Sequence, residues 1–414
     1  MINKKLALTF IFFTVLLDSV GFGIILPVLP QLIMTVTGES LSKAAIYGGW
    51  LLFLYALMQF FSAPLMGNLS DRFGRRPVLL CSLLAFGLNY LLMGWAPSLG
   101  WLILGRLIAG CASSTYAIAN AYIADVFEPA DRAKNFALMG AAFGGGFILG
   151  PVLGGFLGEL GPRVPFYATA WLALANVLFG FLALPETLAR ENRRKFDWRR
   201  ANPLGAFAHL RRYPVVLGLV TAYFFFLVAH MSLPAVWSYY AIARFNWSES
   251  QIGLSLGFVG VMMMIAQAFL IRLVINRHGS VITAYLGLCG ATISFLGYAF
   301  VTQAWMVYIF LLIGAAQGFL GPAVQGLMSA RTPANAQGEL QGALGSVASL
   351  AAIISPPLMT QLFGYFTSAT APVYFPGASY LLAAVLCVFS LVLFVPQLRM
   401  ATAVKDPRDG DSRV

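Results

Sequence analysis

Gly67-Asn68-Leu69-Ser70-Asp71-Arg72-Phe73-Gly74-Arg75-Arg76 packs three arginines, an acid and two glycines into ten residues between two long apolar runs. A stretch this short and this polar reads as a loop at a membrane surface, where the glycines permit a tight reversal and the charges stay in water. The runs on either side have membrane-crossing length, since a hydrocarbon core of about 30 Å needs about 20 apolar residues. Working outward, the same alternation of apolar runs with charges, Pro and Gly predicts about twelve spans. They fall near 6–34, 46–66, 77–96, 99–124, 136–158, 165–184, 214–241, 251–275, 280–301, 304–328, 339–364 and 376–396.

Composition agrees. The 414 residues are 59% hydrophobic and only 10% charged, against about 25% charged for soluble domains. An ordinary soluble enzyme is excluded, and the fold class is an all-α membrane protein. The 41 glycines suit helices that approach closely in lipid. Met1 to Lys5 and the apolar run to Met34 are read as a retained first span, because the run is too long for a signal peptide's core and lacks a small-x-small cleavage site. Cys81, Cys111, Cys289 and Cys387 fall inside apolar runs without CxxC spacing, so they are expected to be core-packing thiols and not metal or redox groups.

The formal net charge of +11 is a matter of topology. When successive loops are numbered alternately inside and outside, all but four of the 26 basic residues fall inside. The exceptions are Lys43, Arg163 and Arg244 outside and Arg106 within a span. The positive-inside rule then places both termini in the cytoplasm, and the excess does not gather on one nucleic-acid-binding face. The long charged segment divides the chain into a six-helix half over 1–185, a cytoplasmic linker over 186–213, a second six-helix half over 214–398 and a cytoplasmic tail over 399–414. Arg72 and Gly74 recur as Arg277 and Gly279, and Gly140 and Pro151 as Gly345 and Pro356, all at an offset of 205 residues. Two landmarks at one offset argue for a duplicated half, an arrangement known among secondary transporters with a site near the midplane.

The opening loop resembles, at every fixed position, the G-x-L-x-D-R-x-G-R-R motif of the major facilitator superfamily. The resemblance implies a conformational latch at Gly67, Asp71, Arg72, Gly74, Arg75 and Arg76, in which Asp71 meets a helix N-terminus or an arginine of the other half; the plainer reading is a basic loop that fixes topology. At the equivalent place in the second half Asn276 stands where the acid would be. Asp18-Ser19-Val20-Gly21-Phe22-Gly23 followed by Pro27-Val28-Leu29-Pro30 looks like the D-x-x-G-x-G-x-x-x-P-x-L-P signature of twelve-span drug/proton antiporters. Gly146, Gly150, Pro151, Gly154 and Gly155 match that group's G-x-x-x-G-P-x-x-G-G motif, and Arg106 is similar to the family's membrane-embedded arginine. The likeness covers about 390 residues and is nearest the tetracycline/proton antiporter branch. It implies a multi-pass protein of a bacterial inner membrane, a monomer that exchanges a small molecule for protons.

An ionisable group deep in a membrane is a functional hypothesis by default. Asp18 lies about 20 Å along its helix from Lys5, and Arg106 is the basic residue within a span, so the two are expected to share a proton-coupling pair or network. The alternatives are that backbone amides near Gly21 and Gly23 hold Asp18 and that Arg106 snorkels to the interface. His230, Gln267, Gln317 and Gln325 are candidate cavity residues, with a satisfied hydrogen-bonding histidine as the plainer reading of the first. Three features depart from the tetracycline branch: Asn89 and Ala291 stand where it has acids, and Met263 where it has a histidine. No Walker loop, zinc spacing or G-x-S-x-G elbow occurs, so no enzyme activity, metal or cofactor is expected, and the partners are a small-molecule substrate, protons and the lipid bilayer. A proton-coupled uptake carrier or facilitator, and a non-transporting membrane sensor, are the competing readings.

Overall fold

The computed structural model of the chain describes residues 4–113, 115–194 and 214–403. The linker expected over 186–213 falls outside them from Lys195 on, and the tail from residue 404 on. Among the described residues there are helices and no strands. The first half contains α1 (Lys4–Ile25), α2 (Leu29–Thr37), α3 (Leu41–Phe73), α4 (Arg75–Trp95), α5 (Leu99–Ala112), α6 (Thr115–Val126), α7 (Pro129–Gly158) and α8 (Val164–Ala183). The second contains α9 (Pro214–His230), α10 (Ser232–Phe245), α11 (Glu249–Ile265), α12 (Ile271–Phe300), α13 (Ala304–Gly314), α14 (Leu320–Ser329), α15 (Gln337–Thr367) and α16 (Ala378–Ala403).

Among the described residues, eleven segments are long and apolar enough to cross a membrane. One of them, Glu249–Phe300, has 52 residues, about 78 Å of helix at 1.5 Å per residue, more than twice the hydrocarbon thickness. It bends back at Gly279 (φ 77°, ψ 166°), so it supplies two crossings and brings the number to the twelve expected. Gly74, 205 residues earlier, breaks the chain with nearly the same backbone (φ 109°, ψ 158°). Side-chain-bearing residues avoid this region, so the glycines are required by geometry at both places.

The first predicted span is two helices, because its prolines break it. Pro27 and Pro30 have no N–H to give to the carbonyls of Gly23 and Leu26 four residues earlier. The Gly23 carbonyl accepts instead from Leu26 N at 3.1 Å. The Leu26 carbonyl accepts from the Ser238 hydroxyl of α10 at 2.6 Å.

By contact density the chain forms two units. One is Met1–Pro203 with Leu233–Val261 and Ile353–Ser379. In it α1 is the central helix, and α7 lies along it through glycine: a Cβ on Gly146 would stand 2.6 Å from the Leu16 carbonyl oxygen, and one on Gly150 2.6 Å from that of Val20. Such approach lets two backbones pack directly in a solvent that offers no hydrophobic drive. The opposite edge of α7 meets α11 by the same device, with Gly155 against Glu249 and Ser250, and Gly253 against Pro151 and Gly155. This contact lies at the far end of the bundle from the Gly67–Arg76 loop. There the Ser42 hydroxyl also donates to the Thr367 carbonyl at 2.9 Å. The second unit is Leu204–Ser232 with Met262–Ala352 and Tyr380–Val414. Its α12 packs on α13 and α14 around Phe295, Tyr298 and Tyr380.

The cysteines correct one expectation: only Cys387 is buried, while Cys81 and Cys289 are exposed. In lipid the exterior is itself apolar, so a thiol gains little by turning inward.

Candidate functional site

A cavity of about 460 Å³ opens within the first six spans. Asp18, Ser19, Phe22, Tyr55, Gln59, Asn89, Arg106, Ser113 and Tyr116 are among the residues that line it. Phe86, Tyr90, Phe143 and Phe147 add further aromatic surface. Its size and its mainly apolar wall with a few convergent polar groups suit a drug-sized molecule.

The structure thus brings Asp18 and Arg106 to one cavity, but without an ion pair between them. The ion pairs among the described residues are Lys43–Glu39, Arg75–Asp71, Arg75–Asp125 and Arg193–Glu186, and none involves either residue. Arg106 is 3% exposed and faces the cavity rather than reaching a surface. Its Nε and Nη2 groups have no hydrogen-bond partner. Backbone amides do not hold Asp18, because α1 stays helical past Gly21 and Gly23. The neighbouring polar groups are satisfied elsewhere: the Ser19 hydroxyl donates to the Phe143 carbonyl at 2.6 Å and the Tyr90 hydroxyl to the Gly21 carbonyl at 2.5 Å. Gly21 is needed because a Cβ there would collide with Phe86 and Tyr90.

The stretch expected as a ten-residue loop is helical except at Gly74, since α3 runs to Phe73 and α4 starts at Arg75; a Cβ on Gly67 would meet nothing within 4 Å, so only Gly74 makes the reversal. Its charged residues form a cluster at the opposite end from the α7–α11 contact. Arg75 bridges two acids, Asp71 at 2.6 Å and Asp125 at 3.1 Å, and donates to the Ser70 hydroxyl at 2.7 Å. Asp71 therefore pairs within its own half. Arg76 donates to the Phe181 carbonyl at 2.7 Å, and the Arg72 guanidinium lies over the Phe73 ring. Glu186, from the start of the expected linker, accepts from the backbone amides of Arg75, Thr187 and Leu188 at 2.9 to 3.0 Å. A carboxylate at the first amide of α4 fills the capping role that Gly74, without a side chain, leaves empty. Sequence reasoning had no signal for this contact, since 111 residues separate Arg75 from Glu186.

At the far end Glu159, just past α7, accepts hydrogen bonds from the hydroxyls of Ser250 and Ser248, the latter at 3.1 Å. Ser248 begins α11 and exchanges bonds with Gln251 in a capping box. The two serine hydroxyls, Ser250 foremost, hold the Glu159 carboxyl below its ordinary value.

His230 and Gln317 lie in the second unit, joined to each other: His230 Nδ1 is 2.9 Å from Gln317 Oε1. The Gln317 amide donates to the Ser294 hydroxyl at 3.3 Å, and that hydroxyl donates to the Ala291 carbonyl at 3.0 Å. These directions make His230 Nδ1 the donor and end the chain of bonds on a neutral backbone group. Gln267 sits on a π-helical turn (Ala266–Leu270) and packs on Gly318. Gln325 bonds to Gln341 at 2.9 Å beside a separate cavity. Sequence reasoning missed Tyr55, Tyr90 and Phe147 as cavity residues, because aromatic side chains are common on every face of these helices.

Twelve helical crossings around a polar-studded cavity are the architecture of a multi-pass membrane transporter. The chain belongs to the Major Facilitator Superfamily, whose model matches residues 11–356 and again 245–411. Tetracycline resistance protein class C of Escherichia coli is 40% identical over 357 residues, 86% of this chain and 89% of that protein. The class B protein of the same organism is 35% identical over 84% of this chain and 86% of its own. Among solved structures, an inward-facing bacterial homolog of the human lysosomal transporter Spinster aligns with a TM-score of 0.76 at 17% identity, over 97% of this chain and 98% of that one.

Proposed function

We propose that this chain expels amphipathic small molecules of tetracycline-like size from a bacterial cell in exchange for protons, working as a monomer in the inner membrane with both termini inside. The carrying observation is the cavity, which combines one carboxylate, one guanidinium and an aromatic wall within a single half. The names of the similar resistance proteins support efflux as the direction. In this reading Asp18 binds the proton and Arg106 adjusts how tightly it is held. The contact of α7 with α11 closes the outer end, and the Asp71–Arg75–Asp125 cluster rearranges when the inner end closes. Gly146, Gly150 and Gly154 keep α7 on α1, while Gly155 seats α11. The His230–Gln317 pair serves as a polar wall in the second half, with Gln267 packed on Gly318 beside it and Gln325 bonded to Gln341.

Purified protein in vesicles given a pH jump of either sign provides the test. Wild type accumulates substrate against a gradient in the direction opposite to proton flow. Asp18→Asn inserts and folds but loses this accumulation, since an amide costs less than a charge in lipid. Flux in the same direction as the protons refutes exchange, and near wild-type exchange by Asp18→Asn moves the proton site elsewhere.

A further inference from the structure

A second cavity, of about 370 Å³, lies wholly inside the second unit and takes no part in the exchange reading above. It opens between α14 and α15, beside Tyr223 of α9. Polar rungs join these two helices in an antiparallel register. At the first rung the Ser329 hydroxyl donates to Gln337 Oε1 at 2.9 Å, and the Gln337 amide donates to the Ser329 carbonyl at 2.8 Å. Gln325 and Gln341 form the second rung at 2.9 Å, one helical turn back along α14 and one turn on along α15. Residues a turn apart share a helix face, so the third rung of this register falls on Gly321 and Gly345, which have no side chains to meet. Both glycines line the cavity, and a Cβ on Gly345 would touch nothing within 4 Å. The space is a rung that the chain leaves unfilled.

The groups around this gap define what fills it. The second rung uses one N–H of Gln325 and one lone pair of Gln341, which leaves Gln325 Oε1 to accept and the Gln341 amide to donate. The Tyr223 hydroxyl stands 3.3 Å from where a Cβ on Gly321 would be, and the Tyr223 ring is stacked with Phe226. Met328 and Leu344 add apolar surface. None of the described residues that line the cavity carries a charge, so an ion entering it would lose hydration with no counter-charge in return. We infer that this cavity binds flat, uncharged molecules that present an N–H beside a carbonyl, as a carboxamide or lactam does. The ligand supplies the missing rung: its N–H donates to Gln325 Oε1, its carbonyl accepts from the Gln341 amide, and its ring lies in the gap between Gly321 and Gly345.

Three naphthalene probes of similar size separate these requirements: 2-naphthamide, methyl 2-naphthoate, which lacks the N–H, and 2-naphthoate, an anion at neutral pH. Equilibrium dialysis against full-length protein in lipid nanodiscs, with empty nanodiscs as the blank, measures each Kd. Wild type binds 2-naphthamide about fivefold more tightly than the ester, the worth of one hydrogen bond, and binds the anion more weakly than either. Gln325→Leu and Gln341→Leu each remove the preference for the amide over the ester. Gly345→Leu projects its side chain into open space and so leaves the fold intact, yet it fills the gap and weakens binding of both neutral probes at least about tenfold. Gly140→Leu, where a Cβ also meets nothing within 4 Å, is the control in the first half and binds as wild type does. The inference is overturned by equal affinity of wild type for amide and ester, by no binding of the amide, by a preference that survives both glutamine substitutions, or by wild-type binding in Gly345→Leu. No proton gradient enters these measurements, so the exchange reading stands or falls apart from them.

Discussion

Gly253→Ala places a methyl group where α7 and α11 touch backbone to backbone. A Cβ on Gly253 would collide with the Pro151 carbonyl oxygen and stand 3.1 Å from Gly155 Cα. Neither obstacle is a side chain that can rotate away, so the helices must separate. Forcing a methyl group into a packed contact costs about 1 to 3 kcal/mol, and at about 1.4 kcal/mol per factor of ten the closed arrangement falls roughly 5- to 150-fold in population. Ser238→Cys, in a background lacking the native cysteines, is the reporter, because Ser238 is buried at this end against Leu26. Adding Gly253→Ala should speed its reaction with an impermeant thiol reagent at least about fivefold. Gly140→Ala, where a new Cβ meets nothing within 4 Å, is the control and leaves the rate unchanged. A Gly253→Ala protein that is folded and labels at the control rate would refute the view that this contact holds the end shut.

Acid applied to the outer face should act through Glu159. Its carboxyl is held low by Ser250 and Ser248, so it stabilises the closed end above the ordinary carboxylate value of 4.5 and loses that effect as pH falls through the depressed value. Ser238→Cys labelling, divided at each pH by that of a free thiol because only the thiolate reacts, therefore rises in acid, and Glu159→Gln abolishes that rise; an identical normalised profile in Glu159→Gln disproves the role. Arg75→Gln leaves Asp71 and Asp125 facing each other and should cost about 1 to 3 kcal/mol, read as a lower thermal midpoint that Arg75→Lys partly restores. Glu186→Ala should cost about 1 to 2 kcal/mol by removing the cap of α4, and an unchanged midpoint would remove Glu186 from the loop's architecture.

The twelve crossings and the break at Gly279 were legible because length and polarity are local properties. The glycines of α7 were legible as a motif, but their division between two partners was not. Gly150 and Gly155 look alike in the sequence, yet one meets α1 and the other α11. Helices that are apolar on all sides give no preferred face from periodicity, so the aromatic lining of the cavity and the pairing of His230 with Gln317 stayed hidden. The expectation that Asp18 and Arg106 form a pair or network came from scarcity alone. Scarcity brought them to the same cavity but carries no distance, and the structure leaves both without an ion partner.

The matched breaks at Gly74 and Gly279 bear on how the two copies diverged. Both keep a backbone that only glycine adopts readily, but beside the first stands Asp71 in an ion pair with Arg75, and beside the second Asn276, which has no charge. The joint was thus inherited as shape, whereas the charges survive in one copy. The duplication expected from the repeated landmarks would leave one joint with the charges and the other with the shape alone. Reintroducing an acid at 276 would ask whether the passive joint still fits the electrostatics it has shed.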